Sequence, residues 1–198
     1  MGLVTPTLPT EAVTAIHAAF QPLVESASFR LPSLRRATGP LALSQPHQVF
    51  TLGLSDLLAG NGLTTMKPTG WRYLIQDGDN ALAAAEAVST GAGDEHVFST
   101  FNEGPFVAST AAALKSAPGL PQVAAGSFEP RLLHVPAIHA MGLWLHNAEA
   151  GKDLVVPLAP SPIDSPAGQA IPIAQYLREV AAKAAAVGLV GPSDLTGG

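Results

Sequence analysis

The chain contains no cysteine, which excludes disulfides, thiol nucleophiles and cysteine-ligated metals together. It is also poor in charge: Asp, Glu, Lys and Arg make up 13% of the residues, against about a quarter in ordinary globular domains. A surface with so few charges is covered by small neutral residues or by other molecules, so a homo-oligomer or a complex with a protein partner is expected. The charge that is present leans acidic, with 15 acids against 10 bases and a net charge of −5. The only local gathering of bases is Arg30, Arg35 and Arg36, so nucleic acid is not an expected partner. No apolar run approaches the roughly 20 residues of a membrane span, and residues 1–9 have neither the basic nor the apolar region of a secretory leader. A soluble, cytoplasmic protein without a membrane partner is the expectation.

Familiar catalytic signatures are missing too. The chain has no G-x-S-x-G, no G-x-x-x-x-G-K-[ST], no G-x-G-x-x-G and no H-E-x-x-H. Ser161 and Ser165 lie in a proline-rich loop with no base beside them in sequence. Neither a cofactor nor a metal is implied.

What is present is a long apolar chain. Its 198 residues are 47% hydrophobic, enough for a sizeable core in a single domain. Thr10 before Glu11, followed by Val13, Ile16 and Phe20, has the pattern of a capped amphipathic helix that Pro22 bends or ends. Pro32, Gly39, Pro40 and Pro46 mark a loop from Phe29 to Pro46. Val49, Phe50, Leu54, Leu57 and Leu58 then suggest a helix over His47–Leu58. Trp71–Gln76 has strand composition, Asn80–Val88 is alanine-rich and reads as a helix, and Gly91-Ala92-Gly93 breaks it. His96–Phe101 reads as a strand, and Pro105 opens a helix to about Leu114.

Leu132–His146 is the longest extended candidate and is apolar on both parities, so both its faces are expected to be covered. A turn at 147–152 returns it as a strand over Asp153–Leu158, with Pro157 placing that strand at an edge or at its end. Ile173, Tyr176, Leu177, Val180 and Ala184 define a last helix over Ile171–Val187, closed by Gly188. The fold expected is α/β, or alternatively α+β: a mixed sheet of about four strands, two βα units followed by a long β-hairpin, with helices on both faces. A helical and loop region at 1–66 would pack on an α/β core at 67–190, leaving a flexible tail at 191–198.

One near-repeat stands out. Ile75-Gln76-Asp77-Gly78 and Phe101-Asn102-Glu103-Gly104 share the order apolar, amide, acid, glycine, and 103 − 77 = 26 residues separate their acids. If both are βα turns of neighbouring parallel strands, Asp77 and Glu103 meet at the edge of the sheet where open α/β sheets hold ligands. Two carboxylates there suit acid-base work, with His139, or Arg35 and Arg36, as supporting groups. They equally suit capping of the helices that follow. His134, His139 and His146 share one extended segment, where an unbroken strand would point His139 away from the other two. Arg30, Arg35 and Arg36 could grip an anion, or simply form surface ion pairs. Trp144, between Leu143 and Leu145 on the opposite parity, is the candidate interface residue. The function expected is that of a non-enzymatic accessory or assembly protein acting through protein–protein binding. The alternative is an enzyme or small-ligand binder using Asp77 and Glu103.

Overall fold

The structure is a computed structural model that describes residues 2–91 and 95–187. The tail expected at 191–198, the Gly188 cap and most of the Gly91–Gly93 break lie outside the described residues.

Among the described residues the chain builds one mixed sheet of nine strands, in place of the four expected. Strand β1 is Gly2–Leu3, and β2 is Leu41–Thr51. β3 is Lys67–Asp77, β4 Asn80–Ser89 and β5 His96–Asn102. β6 is Ser127–Val135, β7 Ala140–His146, β8 Leu154–Pro157 and β9 Ile171–Pro172. Their order across the sheet is β5-β4-β3-β2-β6-β7-β8-β9, with β1 pairing in parallel beside the start of β6. The central pair β2–β6 is parallel, and from it the chain runs outward twice as an antiparallel meander. Each meander ends in a helix, α5 (Pro105–Ser116) after β5 and α7 (Ile173–Ala186) after β9. The N-terminal helix α1 is Thr10–Ser26, which runs past Pro22, and the short α2 is Pro32–Arg35. The short α3 is Leu54–Leu58, α4 is Gly62–Thr65 and α6 is Pro121–Ala125.

Three differences from the expected fold have physical causes. The alanine-rich segment forms β4, because it is sandwiched. Ala83, Ala85 and Ala87 lie in the cluster with Ile16 and Phe20 of α1, while Ala84 lies with Val107 and Leu114 of α5. Small side chains let helices close on both faces of that strand, and packing overrides the helix propensity of alanine. Residues 47–51 extend β2, whose continuity past Pro46 depends on a bulge with Gln45 in the left-handed region at φ 47°. The long apolar segment folds back on itself through a tight turn at Pro136–Ile138, with His139 at φ 51°, so Val135 faces Ala140.

Of the two expected βα units, the first becomes a hairpin and the second is present as β5 and α5. Asp77 is followed by the hairpin turn Gly78–Asp79 into β4, with Gly78 at φ 56°, and only Glu103-Gly104 leads into a helix. β3 and β5 are therefore not neighbours; β4 lies between them and pairs antiparallel with each.

The sheet has two covered faces. On the first, Trp71, Tyr73 and Ile75 pack with α1, and Leu133, Trp144 and Val155 pack with Tyr176 and Val180 of α7. On the second, Leu74, Leu132, Leu143 and Val156 pack with α5. One row on the second face crosses seven strands through cross-strand pairs: Val156, Leu143, Leu132, Val49, Gly70, Val88 and Val97. Gly70 is obligatory in that row, because a Cβ there would meet the Ala87 carbonyl.

Candidate functional site

Asp77 and Glu103 do reach the same end of the sheet. On β4, Asp77 pairs with Asn80, and Asn102, next to Glu103, pairs with Ala84, a spacing of 84 − 80 = 4 residues. Both carboxylates serve the segment 33–39. Glu103 Oε2 accepts the Ser33 backbone N–H at 2.9 Å, at the start of α2. Asp77 Oδ2 accepts the N–H groups of Thr38 at 2.8 Å and Gly39 at 3.1 Å, and the Thr38 hydroxyl at 3.3 Å. The Ser33 side chain and N–H hold Glu103 below the usual carboxylate range, with Arg36 and Arg35 adding to the effect. The Thr38 and Gly39 N–H groups do the same for Asp77. Two of the three arginines thus face Glu103. Arg30, exposed, instead lines a pocket whose other walls are mostly apolar.

The tight turn after β6 brings His139 back toward His134, while His146 goes to the far end of the hairpin opposite Glu129. His146 Nδ1 lies 3.1 Å from Asp153, which also accepts the Trp144 indole N–H at 2.8 Å. No group of three or more His, Asp or Glu side chains among the described residues could hold a metal ion. Trp144 is buried in its own chain, 6% exposed, edge-on to Phe50 and beneath the Arg131 guanidinium at 4.9 Å.

A polar rung unforeseen in the sequence lies on the second face: His47, Arg72, Glu86 and Thr100, paired across four strands. Arg72 is buried; its Nε donates to Glu86 Oε1 at 2.6 Å and its Nη1 has no partner. His47 is fully buried, its Nδ1 2.8 Å from the Gln45 carbonyl and its Nε2 without a partner. Burial, reinforced by the Arg72 charge, lowers the His47 pKa to about 4, so the ring is neutral and Nδ1–H donates to Gln45. His134 is lowered by the same two causes. The adjoining cleft of about 300 Å3 is lined by Arg72, Glu86, Asn102, Glu103 and His134, so one of the two candidate carboxylates borders it beside the Arg72–Glu86 ion pair.

The other concentration of features is at the sheet margin. β5 is the last strand on its side, and no strand among the described residues pairs with its outer edge. Its residues, His-Val-Phe-Ser-Thr-Phe-Asn, include no proline, lysine or acid. The opposite margin, β9, has two residues, one of them Pro172. Along the apolar row of the second face, burial fades toward β5: Leu132 and Leu143 are fully buried, Val88 is 36% exposed and Val97 49%. On the first face a pocket of about 510 Å3 lies beside β5, walled by Phe101 of that strand, Leu23 of α1, and Phe29, Leu31 and Leu34. The uncharged, β-prone run 96–102 is visible in the sequence; that it forms the margin is not.

Comparison with known protein families, curated proteins and solved structures finds no match for this chain. No described helix is long and apolar enough to cross a membrane.

Proposed function

We propose that the protein is a non-enzymatic accessory protein that binds an extended segment of another protein along β5. One observation carries this: an apolar row runs from the core to an open sheet margin and emerges there at Val88 and Val97. Open margins are normally blunted by proline, charge, brevity or a bulge. β9 is blunted by proline and brevity, whereas β5 is seven residues long, has no proline, lysine or acid, and carries only a bulge at Ser99. An added strand would satisfy the outward N–H and C=O groups of β5 and cover Val97. The enzyme reading has less to rest on, because each carboxylate commits one oxygen, Asp77 Oδ2 and Glu103 Oε2, to holding the backbone of Thr38, Gly39 and Ser33.

The test is selection of binders from a displayed library of random linear peptides by the wild-type protein and by Val97→Lys. The wild type should enrich sequences of alternating apolar and polar residues that the lysine variant does not retain. Absence of enrichment, or binders indifferent to Val97→Lys, would contradict the reading.

A further inference from the structure

We infer that the cleft between α5 and the second face of the sheet binds a small neutral molecule carrying a carboxamide on an apolar body. The site lies over the sheet rather than along the outer edge of β5, so it stands or falls separately from strand addition there.

Backbone alternation gathers its walls. Arg72 and Glu86 are paired across β3 and β4, and Asn102, opposite Ala84, projects on the same face as Glu86. His134 on β6 stands opposite Met141 on β7, two positions beyond Leu132 of that face. Phe106 and Val107, in the first turn of α5, stand over them. The result is a trough with two unlike ends. Arg72, Glu86 and Asn102 lie toward β3, β4 and β5, whereas Val49, Leu132 and Met141 lie toward β2, β6 and β7. Its volume of about 300 Å3 is at the lower end of small-ligand pockets.

The polar end is incompletely bonded. Arg72 is 5% exposed, and both bonds that it makes, from Nε and Nη2, go to the single oxygen Oε1 of Glu86. Its Nη1 is buried without a partner, a costly state for a guanidinium N–H. Among the described residues, neither Oε2 of Glu86 nor the side-chain amide of Asn102 has a hydrogen-bond partner. A carboxamide answers both needs with one planar group: its carbonyl accepts from Arg72, and its N–H donates to Glu86 or Asn102. The apolar body then lies along the trough against Leu132 and Met141, under Phe106. Water would meet the polar end alone and leave the apolar walls wet.

The charges select a neutral head group. Arg72 is matched by Glu86, and Glu103, which also borders the cleft, is bonded to Ser33 and faces Arg36 and Arg35. An anion would meet two carboxylates, and a cation would meet the Arg72 guanidinium. Either would give up its hydration with no unpaired counter-charge to replace it.

The probes are benzamide, benzoate and benzylamine, which share a ring and differ in head-group charge at neutral pH. Each is titrated into the isotope-labelled wild type and followed by backbone amide shifts in NMR. Benzamide should shift the signals of Arg72, Glu86, Phe106 and Val107, and should bind at least about tenfold more tightly than either charged probe, a step of about 1.4 kcal/mol. Two variants should each weaken benzamide by a similar factor: Met141→Trp, which fills the apolar end, and Glu86→Gln, whose carbonyl stays on Arg72 and turns a donor toward the ligand. Signals of α7, which packs on the other face, should stay as in the wild type. If Glu86→Gln loses the folded spectrum, Met141→Trp decides alone. Equal or tighter binding of benzoate or benzylamine would overturn the carboxamide assignment. No saturable shift at the cleft with any probe would mean that solvent alone occupies it and would overturn the site, as would benzamide binding that Met141→Trp leaves unchanged.

Discussion

Acid should weaken this fold through one histidine. His47 is fully buried with its ring neutral, and its pKa is lowered from 6.5 to about 4. Above about pH 6.5 the ring is neutral in folded and unfolded chains alike, and the full stability is present. As the pH falls from 6.5 toward 4, the unfolded chain takes up a proton that the folded chain refuses, so stability declines across that window. The gap is 6.5 − 4 = 2.5 pH units, which corresponds to about 3 kcal/mol at 1.36 kcal/mol per unit. The assay is urea unfolding across that range for the wild type and His47→Leu, which keeps the volume apolar and removes the titration. The wild-type midpoint should drop by about 1 M urea or more relative to the variant between neutral pH and about pH 4.5. His134 is lowered in the same sense, and Asp77, Glu103 and Glu179, held low by hydrogen bonds, lose their contribution only as pH falls into the carboxylate range. These groups are common to both proteins and cancel in the difference. Parallel curves for the two proteins would show that His47 titrates freely, and the buried polar rung would be wrong.

Three further outcomes follow from the packing. Trp144→Ala should cost about 3–5 kcal/mol in denaturant unfolding, the range for removal of a buried aromatic, and should leave the oligomeric state unchanged because Trp144 packs within its own chain. Wild-type stability in that variant would refute the packing. Gly70→Ala should destabilise by about 1–3 kcal/mol, since the new methyl group meets the Ala87 carbonyl; a neutral melting temperature would show that β3 and β4 are not in this register. Asp77→Ala should release Thr38 and Gly39 and speed limited proteolysis between Arg35 and Leu41, and unchanged cleavage there would contradict the anchoring role.

How much of this was legible in the residues depends on which force decided each element. α1, α5 and α7 carry their apolar positions at three- and four-residue steps, and β3, β5 and β8 carry strand composition between turn residues, so local pattern located them. β4 was opaque because its alanines are there to admit α1 and α5, a tertiary demand that composition cannot distinguish from helix propensity. β2 was hidden by Pro46, which reads as a helix start but sits in a bulge after Gln45. The near-repeat at Asp77 and Glu103 correctly signalled two glycine-bearing strand ends, yet one turn is a hairpin and the other leads into a helix. The ties to residues 33–39 and the His47–Arg72–Glu86 rung depend on partners distant in the chain, which no local spacing records.

Amide hydrogen exchange along β5, with and without a peptide selected by the wild-type protein, bears most directly on the claim that this margin is the working surface. The account predicts that outward-pointing amides between Val97 and Asn102, which no strand among the described residues pairs, become protected when the peptide binds, in an alternating pattern. Amides of β8 and β9 should not change. Protection confined to another surface, or binding that leaves every β5 amide exchanging as before, would contradict it.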